Sequence, residues 1–194
     1  MEKKLEAWES VATPEKMAEM LDRLARVAHG AQFCAGLNPA QWEALRYLNR
    51  ANRYSRTPGA LAEYLSATPG TISQTVIALE EKGYVTRSRA SGDRRSVEVR
   101  LTPAGQEVLL RDPLALLGEV IEGLSPEERQ ALGRAVDSVS TRINAARGVS
   151  GFGLCRDCTH LRHPQEVNKS CCCGVTGEDL AATELEQICV DFRR

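Results

Sequence analysis

The stretch TPGTISQTVIALEEKGYVTR, residues 68–87, predicts a helix that is followed directly by a strand. Thr68 precedes Pro69, and a side-chain oxygen before a proline is typical of a helix start, because the oxygen caps a free N–H group and proline has none to satisfy. Apolar residues then recur at helical spacing: Ile72, Val76 and Leu79. Gly83 is typical of a helix end, and the alternating pattern after it indicates a strand.

Five further sites in the chain carry the same helix-start signal. In each, a proline follows Thr, Ser or Asn, whose side chains carry an oxygen: Thr13-Pro14, Asn38-Pro39, Thr57-Pro58, Thr102-Pro103 and Ser125-Pro126. Ser125 also fits a capping box, because Glu128 occupies the third helical position. The sequence therefore predicts a mainly helical protein, with every one of these helix starts before residue 127.

Two short helices and a hairpin follow one another in the middle of the chain. The helices begin at Pro58 and Pro69 and are separated by about three residues. The hairpin strands are predicted over 84–87 and 96–101, with the turn at 91–93. This order is that of a winged helix–turn–helix, in which the second helix is the recognition helix and the hairpin is the wing.

The start of the predicted recognition helix presents side chains on the side opposite its apolar stripe. The candidates for DNA contact on this helix are Thr71, Ser73, Gln74 and Ile77. An amide such as that of Gln74 can pair with an adenine edge, hydroxyl groups bond phosphates or bases, and Ile77 suits a thymine methyl group. On composition alone, a solvated helix face is the alternative interpretation.

Positive charge is concentrated in this part of the chain, although the whole chain is nearly neutral. The 194 residues include 25 basic and 26 acidic ones, whereas residues 50–100 include nine basic and five acidic ones. Neutralisation of phosphates supplies most non-specific affinity for DNA. The basic candidates for DNA contact in the hairpin are Arg87, Arg89, Arg94 and Arg95. Arg94 and Arg95, at the hairpin tip, are placed for a narrow minor groove.

Residues 38–105 resemble the MarR family of transcriptional regulators. Four segments carry the resemblance: NPAQWEAL (38–45), LEEKGYV (79–85), DRR (93–95) and LTPAG (101–105), and Asp-x-Arg followed by Leu-Thr-x-x-Gly is its most specific part. The resemblance implies that Asp93 braces the wing, that Arg95 enters the minor groove, and that a homodimer built from the first and last helices recognises a pseudo-palindromic duplex. Many relatives have arginine at the position of Gln74, so the base preference is not transferred.

The helices predicted after residue 103 are too apolar to face solvent. Their apolar residues are Val108, Leu109, Leu110, Leu114, Leu116, Leu117, Val120, Ile121, Leu124, Leu132, Val136, Val139 and Ile143. An intramolecular core is one explanation. A homodimer interface explains the excess better, since two half-sites on the duplex demand two recognition helices.

Six of the seven cysteines lie after residue 154 and predict a second unit. We divide the chain at the Gly/Ser-rich segment 148–153 into a winged helix–turn–helix DNA-binding and dimerisation domain, 1–148, and a small metal-stapled module, 149–194. A Cys-x-x-Cys knuckle turns two sulfurs toward one point, and two later thiolates complete four-coordination. The predicted metal ligands are Cys155, Cys158, Cys173 and Cys189, with Cys171, Cys172 or His160 as substitutes. Cys173 is preferred because Gly174 allows a close backbone turn beside a bound sulfur.

An iron–sulfur cluster that senses redox state, oxygen or iron is the first expectation for these cysteines, and structural zinc is the alternative. So short a module seldom folds on core burial alone, which favours a metal. Zinc ribbons usually have two Cys-x-x-Cys knuckles, and one is present here. The tail resembles a cysteine motif that is appended to some MarR-like regulators. Capture of arsenite or mercury, a peroxide-driven disulfide and a thioredoxin-like dithiol are further alternatives.

Other features of the sequence exclude several classes of protein. The chain has no Gly-rich phosphate loop, Gly-x-Ser-x-Gly elbow or His-Glu-x-x-His helix, so we expect no enzyme. It has no long apolar run and no secretory signal, so we expect a cytoplasmic protein without a membrane span. A redox carrier or enzyme subunit that uses the winged helix to bind protein is the competing class, and the hairpin arginines disfavour it.

Two smaller expectations complete the sequence-based hypothesis. Loss or oxidation of the cluster should loosen a tail that packs near the dimer helices, and should thereby change the spacing of the two recognition helices. Cys34 and His29 lie apart from the cysteine-rich tail, and we expect structural roles for both, with Cys34 as a small buried apolar group.

Overall fold

The structure is a computed structural model that describes residues 13–89, 97–148, 151–163 and 170–193. The helices of these residues are α1 (Pro14–Gly30), α2 (Pro39–Arg50), α3 (Pro58–Tyr64), α4 (Pro69–Glu81), α5 (Pro103–Leu109), α6 (Ala115–Glu122) and α7 (Pro126–Arg147). The strands are β1 (Val85–Arg89), β2 (Val97–Leu101), β3 (Gly153–Leu154), β4 (Leu161–Arg162), β5 (Cys171–Cys173), β6 (Asp179–Leu180) and β7 (Ile188–Cys189). Two short 3-10 turns, Cys155–Asp157 and Ala182–Glu186, lie among the late strands.

All the predicted helix starts are confirmed. Each of these helices has proline in its first turn, and the residue before it accepts a hydrogen bond from a backbone N–H group. The predicted capping box of Ser125 and Glu128 is present, and Asn38 with Gln41 forms a second one that the sequence reasoning missed. Helix α6 has no side-chain cap at Leu114, although Asp112-Pro113 precedes it and Asp112 Oδ1 accepts the Leu114 N–H at 2.8 Å.

The winged helix–turn–helix packs around one apolar core. The fully buried side chains of this core come from α2, α3, α4, β1 and β2: Trp42, Leu45, Leu61, Ile72, Val76, Leu79, Val85 and Val99. The apolar stripe predicted for α4 therefore faces inward. Gly83 adopts a φ of 75°, which a glycine reaches without strain, and this lets the chain turn from α4 into β1. Strands β1 and β2 pair antiparallel from Val85 opposite Leu101 to Arg89 opposite Val97.

The LTPAG segment fastens the base of the wing to α4. The Thr102 hydroxyl donates to the Gly83 carbonyl at 2.6 Å and also accepts the Gly105 N–H at 3.1 Å. Gly105 lies so close to the hairpin that a β-carbon there would approach the Tyr84 carbonyl oxygen to 2.1 Å. A glycine is needed at this position because two backbones touch.

Helices α1, α6 and α7 have no buried residue within the described chain. Leu117 and Ile121 of α6 are half-buried, and the other large apolar side chains of these helices are between 37% and 66% exposed: Met17, Met20, Leu21, Leu24, Val27, Leu116, Val120, Leu132, Val136, Val139 and Ile143. Among the described residues, no core covers these side chains of α6 and α7. Val108 of α5 is buried in the core of the winged helix–turn–helix and Leu109 packs against it, so the intramolecular alternative holds for these two residues. None of the described helices is both long enough and apolar enough to cross a membrane.

The cysteine-rich tail forms a small β-rich module. Strand β3 pairs with β7, and β5 lies between β4 and β6, all antiparallel. The side chain of Ile188 in β7 is 4% exposed and belongs to the core of the winged helix–turn–helix. The division at residue 148 stays a prediction, but the two parts pack together through β7.

The expectation that Cys34 is buried is wrong. Cys34 is exposed in the turn after α1, where it forms an isolated bridge with Leu37. Leu37, which is 4% exposed, occupies the core instead. His29 lies near the end of α1, with its Nε2 atom 3.3 Å from Oε1 of Glu43, a contact that fits the expected structural role.

A half-buried ion pair joins α2 to the segment just before α6; helices α1, α6 and α7 are here called the outer helices. Arg46 on α2 donates from Nε to Asp112 Oδ2 at 2.7 Å and from Nη2 to Asp112 Oδ1 at 2.9 Å. The side chains of Arg46 and Asp112 are 18% and 19% exposed. Burial raises the pKa of Asp112, but the hydrogen bonds from Arg46 and from the Leu114 N–H outweigh it, so the pKa lies below its ordinary value.

We predict that Asp112→Asn lowers the free energy of unfolding by about 1–3 kcal/mol at pH 7, because Arg46 loses a charged partner. A carboxyl whose pKa is lowered in the folded state stabilises the protein above its unfolded pKa, about 3.9, and ceases to do so as the pH falls through the folded pKa. Urea unfolding at pH 7 and at successively lower pH measures both effects. The control is Asp22→Asn, which removes an exposed pair with Arg26 and should change stability by less than about 0.5 kcal/mol. If Asp112→Asn lowered the free energy of unfolding by the same amount at every pH, the prediction would be contradicted.

Candidate nucleic-acid interface and cysteine site

The first two turns of α4 offer a polar outer surface. Thr71, Ser73 and Gln74 are exposed and Ile77 is half-buried, as the orientation of the inward stripe requires. The Thr71 hydroxyl lies 2.9 Å from the Thr68 hydroxyl, and the Ser73 hydroxyl donates to the Pro69 carbonyl at 2.9 Å. These local bonds hold both hydroxyl groups at the helix start, next to the exposed amide of Gln74.

Arg87 holds the wing against the end of α4. Its Nε donates to Glu80 Oε2 at 2.8 Å, and its backbone N–H donates to Glu80 Oε1 at 3.1 Å. These bonds lower the pKa of the Glu80 carboxyl. Arg87 was predicted as a DNA contact, and the structure gives its guanidinium an intramolecular partner that the sequence reasoning missed. Arg89, at the end of β1, is exposed.

The predicted wing-tip residues Asp93, Arg94 and Arg95 lie outside the described residues. Their DNA-binding roles stay predictions, as does the bracing role that the resemblance implies for Asp93.

Several basic residues of the 50–100 segment are engaged within the protein. Arg53 pairs with Glu184 and Glu178 of the cysteine-rich module at 3.3 and 3.1 Å. Arg100 pairs with Glu98 at 2.7 Å. The excess positive charge counted from the sequence is therefore partly neutralised, and the basic side chains left for DNA are fewer than the count suggests.

The four predicted metal ligands surround one small cavity. It has a volume of about 20 Å³, close to one water-sized sphere, and it is lined by Cys155, Cys158, His160, Leu161, Cys173, Val175, Leu180, Cys189 and Asp191. Cys155 and Cys189 are buried, and Cys158 and Cys173 are half-buried. Among the described His, Cys, Asp and Glu residues, no three are arranged to hold a single metal ion. The structure brings the four cysteines together, while their role as ligands stays a prediction.

The sulfur atoms of the cavity receive hydrogen bonds. The Asn52 amide donates to Cys155 Sγ at 3.5 Å, and the Arg193 backbone N–H donates to Cys158 Sγ at 3.5 Å. The thiols of Cys155 and Cys189 form a hydrogen-bonded pair, which raises the pKa of Cys155 and lowers the pKa of Cys189. N–H donors to sulfur stabilise thiolates, the form in which cysteine binds metals.

The remaining cysteines of the tail do not line this cavity. Cys171 shares a face of β5 with Cys173, and its Sγ lies 3.8 Å from Nδ1 of His163. Cys172 lies on the other face, opposite Arg162 and Asp179. Gly174 allows β5 to approach the preceding turn, because a β-carbon there would lie 2.7 Å from the His160 carbonyl oxygen.

The sequence reasoning missed two buried polar residues beside the cysteine site, Asn52 and Ser55. They are 1% and 0% exposed and lie in the segment between α2 and α3. The Val190 N–H donates to the Ser55 hydroxyl at 2.9 Å. Buried polar residues in a loop are a signal for long-range contact, but their partners lie more than 100 residues away in the chain.

The cysteine module faces α7 across an open cleft. The cleft has a volume of about 1250 Å³, with Asn144 and Ala145 of α7 on one side and Phe152 and Val190 of the module on the other. The module is therefore near α7, as expected. Its buried contacts go to the segment between α2 and α3 and to the core of the winged helix–turn–helix, where Phe152 packs edge-on against Tyr47 and Tyr64.

Comparisons with known proteins identify the family. A model of the MarR family matches residues 35–96, which leaves the cysteine-rich tail outside the matched region. The uncharacterized HTH-type transcriptional regulator YfiV of Bacillus subtilis is 31% identical over 110 residues, which are 55% of this chain and 68% of that protein.

Solved structures share the fold. A MarR transcriptional regulator from Methanosarcina mazei superposes with a TM-score of 0.56 at 23% identity over 66% of this chain and 96% of its own. Sco3205, a MarR family transcriptional regulator from Streptomyces coelicolor solved in complex with DNA, gives a TM-score of 0.54 at 25% identity over 66% of this chain and 88% of its own. The chain belongs to the MarR family of HTH-type transcriptional regulators.

Proposed function

We propose that this protein is a homodimeric transcriptional regulator that binds a pseudo-palindromic DNA operator through α4 and the wing. The observation that carries the proposal is the exposed polar start of α4, which lies beside a hairpin held in place by Arg87 and Glu80. A recognition helix reads base edges with the residues of its first turns. The DNA complex of the related Sco3205 supports the same use of this fold.

The homodimer part of the proposal rests on the outer helices. Large apolar side chains line α1 and α7 and are about half exposed in a single chain. Contiguous exposed apolar surface of this kind marks a protein interface. A second copy of the same chain would cover this apolar surface and would also supply the second recognition helix.

We predict that Gln74→Ala lowers affinity for the operator about tenfold, because one base contact is lost. Arg89→Ala should instead lower affinity for all DNA sequences and reduce the slope of log affinity against log salt by about one. Gel shifts on the DNA upstream of the protein's own gene, at several salt concentrations, measure both. Gln130→Ala, an exposed glutamine on α7, is the matched control and should bind like the wild type. Absence of binding to any upstream fragment would overturn the proposal.

We predict that Val139→Asp, on the apolar face of α7, converts the dimer to a monomer, because a buried unpaired carboxylate opposes association. Sedimentation equilibrium measures the mass in solution. Ser138→Asp places the same charge on a neighbouring position outside the apolar stripe and should leave the dimer intact. A wild-type chain that sediments as a monomer would contradict the dimer.

We further infer that Cys155, Cys158, Cys173 and Cys189 bind a metal centre, with an iron–sulfur cluster that senses redox state, oxygen or iron as the proposed occupant. The donor set supports this: four thiols surround one cavity and two of their sulfurs accept N–H hydrogen bonds. Bound there, the cluster would supply one-electron chemistry that responds to oxidants. Four thiols are also a donor set that zinc takes, so a single zinc ion is the second candidate.

We predict that protein purified without oxygen contains iron and sulfide and absorbs visible light, and that Cys155→Ser and Cys189→Ser lose both. The exposed Cys34 provides the matched control, because Cys34→Ser should keep the metal. Metal and sulfide analysis of the three variants and the wild type distinguishes the candidates. Colourless protein with one zinc ion per chain would show that the site holds structural zinc and not a cluster. Protein without any metal would overturn both candidates.

A further inference from the structure

The segment from Ala51 to Arg56, here called the connecting segment, contacts both the cysteine module and the wing. It joins the end of α2 to Thr57, the N-cap of α3. On one side the Asn52 N–H donates to the Ile188 carbonyl at 2.9 Å. On the other side the Arg56 carbonyl accepts the Val99 N–H of β2 at 2.8 Å. Six residues thus lie between the cysteine site and the wing.

Asn52 is the residue of this segment that touches the cysteine site. Its amide nitrogen donates to Cys155 Sγ at 3.5 Å, and its Oδ1 accepts the Ser55 N–H at 3.0 Å. The residue is 1% exposed, so water cannot replace either bond. Both ends of one buried amide are therefore fixed, one by a predicted metal ligand and the other by the backbone of the connecting segment.

The connecting segment is itself held in one shape by short hydrogen bonds. The Arg56 Nε donates to the Ala51 carbonyl at 3.0 Å, which closes the segment on itself. The Ser55 carbonyl accepts the Tyr47 hydroxyl at 2.8 Å, and the Ser55 hydroxyl accepts the Val190 N–H. A continuous path of hydrogen bonds and backbone therefore joins the Asn52 side chain to the Arg56 carbonyl and to β2.

We propose that Asn52 is a positioning residue that couples occupancy of the cysteine site to the placement of the wing on DNA. This inference rests on the proposed metal site. A hydrogen bond to a sulfur that carries the charge of a metal-bound thiolate is stronger than one to a neutral sulfur. Occupancy therefore strengthens the Asn52 bond, fixes the connecting segment and holds β2 where the wing meets the duplex.

The test compares operator affinity in two states of the protein, reconstituted with iron and sulfide and stripped by a chelator, and repeats the comparison with Zn²⁺ as the added metal. We expect the loaded wild type to bind the operator about tenfold more tightly than the stripped form, within the usual range of coupling between two sites. In Asn52→Ala the ratio of the two affinities should fall to about one while the protein still takes up metal.

The matched control is Arg53→Ala, which removes the exposed contacts of the connecting segment with Glu178 and Glu184 but leaves the sulfurs untouched. A general loosening of the module would lower both affinities in either variant and leave their ratio unchanged. The coupling is supported if the loaded and stripped forms of Asn52→Ala bind the operator equally, while the loaded form of Arg53→Ala still binds it more tightly than the stripped form. An unchanged ratio in Asn52→Ala overturns the coupling and leaves the proposed function intact.

Amide hydrogen exchange provides a second measurement. It uses the wild type alone and so does not depend on whether a variant folds. We expect removal of the metal to speed exchange at Asn52, Val190 and Val99, whose N–H groups join the module, the connecting segment and β2. Equal exchange at Val99 in the two states overturns the coupling. A wild type that takes up no metal overturns the proposed metal site and the coupling together.

Discussion

The insertion of Ile188 into the core of the winged helix–turn–helix is the interaction on which the arrangement of this protein depends. Full burial of an isoleucine side chain contributes about 1.5–3 kcal/mol, and Ile188 is 4% exposed within the apolar core that α2, α3, α4 and the hairpin build. Its carbonyl accepts the Asn52 N–H, and Val190, just after β7, donates its N–H to the Ser55 hydroxyl, so this strand is also bonded to the segment between α2 and α3. A module that carries most of the cysteines thus shares apolar packing with the part of the chain that meets DNA.

Local sequence signals were enough to find the DNA-binding fold. A cap residue and the N–H group it satisfies are three positions apart, so a pair such as Thr68 and Pro69 marks a helix whatever lies elsewhere in the chain. The spacing of Ile72, Val76 and Leu79 predicted which face of α4 packs on the core, and therefore which face is exposed. Gly83 and the alternation after it gave the hairpin.

Contacts between distant residues were beyond the reach of such signals. The bond from Asn52 to Cys155 spans 103 positions, and no period or spacing connects the two. The pairing of Arg87 with Glu80 could not be inferred either, because a count of charges does not show which arginines already have partners. The prediction that Cys34 is buried was wrong for a similar reason. The conformation of the turn after α1 places Leu37 in the core and leaves Cys34 exposed. The convergence of four cysteines on one cavity was expected from their chemistry, whereas the surface that holds them was not.

The bare apolar faces of α1 and α7 also bear on how the chain folds. A helix of 17 residues with no buried side chain has little beyond its own backbone bonds to stabilise it, and such helices are marginal in water. In the proposed homodimer the burial that secures these helices comes from the partner, which makes their folding a second-order process. Dilution would then unravel the outer helices while the core around Trp42 stays intact, so the abundance of the protein in the cell would itself set how much of the chain is structured.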